Sequence, residues 1–140
     1  MDRIEELLEM PCWVIDILPF QVPADSAGQY FAVEKYYYSG PRRPEIKKKH
    51  ADILLKLNCY YDFQVCAADS EEFVRNPAPD VLAARILGAQ ENLCILLPRE
   101  DALITLDRDD TCMTVYNPSE TLLNRLRLLA TAEGLFLWQP

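Results

Sequence analysis

The sequence has little of the material from which compact catalytic motifs are built. Its four glycines, Gly28, Gly40, Gly88 and Gly134, are too few and too scattered for a phosphate-cradling loop. One histidine, His50, rules out an HExxH pair, and no serine occupies a nucleophile elbow. The five cysteines (Cys12, Cys59, Cys66, Cys94 and Cys112) show no CxxC spacing, so neither a zinc ribbon nor a dithiol redox motif is legible. Each lies in or beside a predicted strand and reads as a buried free thiol acting as a small hydrophobe. The chain is therefore expected to fold without disulfide, metal or cofactor.

A secretory start is also missing: Asp2, Glu5, Glu6 and Glu9 precede Pro11 where a basic and then apolar run would be needed. The longest apolar stretch, Trp13 to Pro23, contains Asp16 and two prolines and is too short to span a bilayer. With no internal repeat or low-complexity tract, these absences predict a cytoplasmic protein with no membrane association.

What is present is ordinary globular composition. Half of the 140 residues are hydrophobic and 26% are charged, which predicts one domain over residues 1–140 with a core large enough to need no staples. The net charge of −8 argues against general nucleic-acid binding. It is unevenly spread: six basic and two acidic residues between Gly40 and Asn58 make a local +4, leaving −12 elsewhere.

Periodicity and punctuation predict the elements. Asp2 begins a short helix that Pro11 stops, and Cys12–Leu18 is a strand with Trp13, Ile15 and Ile17 on one face and Val14 and Asp16 on the other. A proline-containing loop follows. Tyr30–Tyr38 reads as a second strand from its aromatic and branched residues, although imperfect alternation leaves a helix as the alternative. Pro44–Leu57 is a helix whose apolar arc carries Ile46, His50, Ile53, Leu54 and Leu57. Cys59–Cys66 is a strand with Glu72–Arg75 as a short hairpin partner, and a brief helix from Asn76–Asp80 runs to Leu87. Strands then follow at Leu93–Leu97, Ala102–Leu106 and Thr111–Tyr116, the last two forming a hairpin.

The C-terminal thirty residues give the clearest pattern. Asn117 is the expected helix cap, with Pro118 at the first helical position, and Leu122, Leu123, Leu126, Leu129 and Ala130 share an arc about 120° wide. Gly134 stops this helix. Glu133 falls on the apolar arc and is expected to be released to water by fraying of the last turn. Leu135–Trp138 lacks polar alternation and reads as a central strand, paired in parallel with Thr111–Tyr116 through the helical crossover. The fold class is α+β: a mixed, largely antiparallel sheet of about seven strands with three main helices.

Three constellations are candidate sites. Asp16, Glu34, Tyr60, Asp62 and Gln64 each lie on the more polar side of a predicted strand and, if brought together, form a carboxylate and tyrosine ligand pocket. Arg42, Arg43, Lys47, Lys48 and Lys49 form a basic face, and with Tyr36 and Tyr38 make a candidate partner surface, of which Arg42, Arg43, Lys48 and Lys49 are the basic members. Asp107, Asp109 and Asp110 read as a charged hairpin tip, since the glycine and distant glutamate of a calcium loop are missing. No catalytic residue is assigned. The expected function is a protein-interaction or regulatory module with a protein partner or self-association, one version being an acidic inhibitor of the immunity type; the alternative is a small-ligand binder or enzyme using the carboxylate pocket.

Overall fold

The branched, uninterrupted runs of the second half build the middle of the sheet. In the computed structural model, which describes residues 2–140, Leu93–Leu97 (β4), Ala102–Leu106 (β5) and Met113–Tyr116 (β6) form an antiparallel meander. Gln64–Ala67 (β2) pairs with β4 and with Val74–Arg75 (β3), and Cys12–Asp16 (β1) lies between β6 and Phe136–Trp138 (β7). The seven strands run in the order β3-β2-β4-β5-β6-β1-β7, and every neighbouring pair is antiparallel.

Among the described residues five helices accompany the sheet: Asp2–Leu8 (α1), Tyr30–Ser39 (α2), Arg43–Leu57 (α3), Pro79–Gly88 (α4) and Glu120–Ala132 (α5). The strand alternation sorts them into layers. Val65, Ile95, Ile104, Met113 and Val115 share a core with Ile53, Leu54 and Leu57 of α3, Leu82 and Ile86 of α4, and Leu122 and Leu126 of α5. On the reverse face, Cys66, Cys94 and Leu103 pack against Ile4 and Leu7 of α1. Cys66 and Cys94 are register partners across β2 and β4, a proximity hidden by their separation in sequence. They are the only cysteines buried among the described residues; Cys12 and Cys112 are partly covered and Cys59 is exposed, contrary to the expectation that all five are buried.

Several sequence expectations are corrected. Tyr30–Ser39 is a helix, the alternative to the expected strand, and none of its residues is buried. The strand expected from Cys59 begins only at Gln64, because Cys59–Tyr61 turn back on the last carbonyls of α3. The β6–α5–β7 crossover does return β7 parallel to β6, but β1 occupies the place between them. β7 is thereby an edge strand, and Phe136 is 44% exposed.

The cap of α5 is also displaced. Asn117 sits at φ 58°, where its amide donates to the Asp101 carbonyl at 2.8 Å, and Ser119 Oγ accepts from Leu122 N at 3.1 Å. A short polar side chain tolerates the left-handed region, so Asn117 makes the turn and leaves the cap to Ser119. Replacing Ser119 by alanine should cost about 1 kcal/mol, read as a lower denaturant midpoint at constant m-value. At the other end Gly134 adopts φ 76° while Leu135 N donates to the Ala130 carbonyl at 2.8 Å. Glu133 is not released to water: Lys56 reaches it at 3.4 Å and its side chain is largely covered.

Candidate functional site

The end of β1, the loop 17–29, α2 and Thr111 just ahead of β6 meet at one cleft. Its volume is about 270 Å³ and its walls include Ile17, Leu18, Val22 and Val33, with Asp16, Tyr30, Glu34 and Thr111 as polar groups. A second recess shares Asp16, Leu18, Val22, Tyr30 and Glu34 and adds Asp110, Cys112 and Trp138. A loop of this length without secondary structure is unusual in a compact protein and is commonly functional.

Local geometry fixes the polar groups. Asp16 Oδ1 accepts from its neighbour Ile17 N at 2.7 Å and from Thr111 Oγ1 at 3.2 Å. On α2 the i, i+4 spacing brings Tyr30 to Glu34, whose Oε2 accepts from the phenol at 2.6 Å. Burial raises the Asp16 pKa despite those two hydrogen bonds, and the charges of Asp110 and Glu34 add to the shift. The Tyr30 phenol is raised by its bond to Glu34, and the Cys112 thiol by burial, which keeps it an inert thiol. Among the described residues no basic side chain lies within ion-pairing distance of Asp16, Glu34 or Asp110. The cleft is an acidic recess with apolar walls and no cation of its own.

The basic helix contributes from the inside. Arg43 and Lys47 lie one turn apart on α3 and bind the β5–β6 connection through its backbone. Arg43 donates to the Arg108 carbonyl at 2.7 Å; Lys47 Nζ donates to Asp107 and Asp110 carbonyls at 2.9 and 3.2 Å. Lys47 is buried, and desolvation lowers its pKa. His50, one turn further, has no exposed surface; its ring faces the Thr111 backbone, and no side chain among the described residues bonds either ring nitrogen. The apolar arc that carries His50 in the sequence does place it in the core. Burial, with Lys47 nearby, pushes its pKa down to about 3.

The five-residue pocket inferred from strand faces is divided. Asp16 and Glu34 come together, Glu34 arriving on a helix. Tyr60 and Asp62 lie in a different recess with Asn58, Arg99 and Glu100, and Gln64 lines neither. Asp62 is compensated there: Asn76 donates to it at 3.1 Å, Arg75 and Arg99 approach at 3.3 and 3.5 Å, and its pKa is lowered, chiefly by Asn76. Tyr60 lies under the Arg125 guanidinium at 4.9 Å. The partner surface is divided too. Arg42 pairs with Glu45 and lies 5.5 Å from the Tyr37 ring, Arg43 is committed to the fold, Lys48 is exposed and Lys49 half-buried, while Tyr36 is exposed and Tyr38 partly covered.

Sequence reasoning missed Tyr30, Thr111 and the fold role of Lys47. The Lys47 signal was available, since on a helical wheel it sits only about 20° beyond Leu54 at the margin of the apolar arc. No group of His, Cys, Asp or Glu among the described residues is arranged to hold a metal ion, and no helix there is long and apolar enough to cross a membrane. No family model matches the chain, and no curated protein or solved structure is significantly similar to it.

Proposed function

We propose that the protein is a small interaction module of the acidic-inhibitor type, which docks a basic polypeptide on α2 and the loop 17–29. The observation that carries this reading is α2 itself: ten residues, five of them aromatic, and none buried. Phe31 is 81% exposed and Tyr36 50%, and Phe20 on the adjoining loop is 70% exposed. A helix normally buries one stripe, and exposed aromatics are enriched at interaction sites. The uncompensated carboxylates beside this surface, together with the net charge of −8, select a partner of opposite sign and accelerate encounter with it.

The test places a photoreactive benzoylphenylalanine at position 31 and identifies what it captures from cell extract. A basic protein cross-linked through position 31, with affinity falling tenfold or more in Phe31→Ala/Tyr36→Ala at unchanged melting temperature, supports the proposal. Cross-linking to a second copy of the chain, or binding indifferent to the double substitution, overturns it.

A further inference from the structure

We infer that the Asp16–Glu34 cleft receives one guanidinium or ammonium side chain of the docked partner, serving as its anchor pocket; this rests on the docking reading above. The geometry is specific. Asp16 Oδ1 is held by Ile17 N and Thr111 Oγ1, and Glu34 Oε2 by Tyr30, so the remaining oxygen of each carboxylate has no protein partner. Both carboxylates line the same cleft, and each is oriented by its hydrogen bonds rather than left to sample rotamers. Ile17, Leu18, Val22 and Val33 wall it, which suits the aliphatic stem of arginine or lysine below a charged head.

Size agrees with a single side chain. A volume of about 270 Å³ lies just below the range of drug-sized ligand sites, roughly 300–1,000 Å³. Electrostatics agree as well. A half-covered carboxylate beside two others, with no internal cation, is disfavoured in the free protein, and an incoming cation relieves both its desolvation and the mutual repulsion. A guanidinium is favoured over an ammonium where two carboxylates present oxygens together, because its planar fork can engage both.

The experiment titrates N-acetyl-arginine methylamide into the isotope-labelled full chain at neutral pH, with the uncharged citrulline analogue as control. Saturable shifts confined to the amides of Ile17, Tyr30, Glu34 and Thr111, absent with citrulline and weakened at least tenfold in Asp16→Asn/Glu34→Gln, are expected. The melting temperature of Asp16→Asn provides a second readout: asparagine keeps the acceptor for Ile17 and Thr111 while losing the disfavoured charge, so it should stay level or rise. Equal shifts with citrulline, no localised shifts, or undiminished binding in the double variant overturns the pocket. If position 31 still captures a basic protein in that event, the docking reading survives alone. If arginine binds but Phe31→Ala/Tyr36→Ala leaves partner affinity unchanged, the pocket stands and the docking reading fails.

Discussion

Replacing His50 by leucine is expected to flatten the acid limb of the stability curve, so that between pH 7 and pH 4 the wild type loses about 3 kcal/mol more than the variant. The folded-state pKa is about 3 against an ordinary 6.5, so the imidazole is neutral in the fold throughout this window. Below pH 6.5 the unfolded chain takes up a proton that the folded chain refuses, and stability falls as pH falls, each pH unit costing about 1.4 kcal/mol. Asp16 acts in the opposite sense, since its raised pKa adds stability as pH falls, and the charge of Lys47 acts on the ring. Both remain in the variant, so the difference between the two curves isolates His50. Urea titrations followed by circular dichroism at pH 7 and pH 4 make the comparison, and parallel curves would refute it.

Lys47→Glu should destabilise the fold by about 3–5 kcal/mol, whereas Lys48→Glu should change stability by less than about 0.5 kcal/mol. Lys47 is buried with Nζ on the Asp107 and Asp110 carbonyls. A carboxylate there would face two carbonyl acceptors in place of the donor they have now, with Arg43 one turn away already bonded to the Arg108 carbonyl. Lys48 is exposed on the same helix and makes no ion pair among the described residues. Should Lys47→Glu fail to accumulate, Lys47→Met gives the smaller reading: it strands the two carbonyls without introducing charge and should cost about 1–3 kcal/mol. Equal effects at positions 47 and 48 would mean that the basic face is uniformly solvated, as a reading of the charge run alone suggests.

How far the sequence could be read depended on whether burial had left a period in it. Ile53, Leu54 and Leu57, like Leu122, Leu126 and Ala130, recur with the helical repeat because one face of each helix is in the core, and both helices were legible. Tyr30–Ser39 carried no such record. Since α2 buries nothing, its apolar residues obey no stripe, and Phe31, Val33 and the three consecutive tyrosines suggested a strand through side-chain propensity alone. Asp16 and Glu34 stood out as polar residues in apolar surroundings, which is a local signal. Their meeting was not local: it depends on α2 being a helix beside the end of β1. The same limit explains why Asp62 was grouped with them, although Arg75, Arg99 and Asn76 already satisfy it elsewhere. Purely antiparallel pairing was obscured by the C-terminal unit, where β1 lies between two strands close in sequence to one another.

That placement of β1 has a consequence for the order of assembly. Its partners are residues 113–116 and 136–138, so roughly a hundred residues of synthesis separate it from its nearer neighbour. Until then Trp13, Ile15 and Ile17 have no strand to pair with, and the emerging chain holds an open apolar segment near its start. The meander β4-β5-β6 can form early from adjacent sequence, but completing the sheet awaits the docking of β1 and β7. Because Asp16 sits at the end of β1 and Thr111 just ahead of β6, the acidic cleft comes into being when β1 pairs with β6. A chain in which β1 has not yet paired with β6 would carry α2 without the recess beside it, and binding competence would thereby report that this long-range pairing has been made.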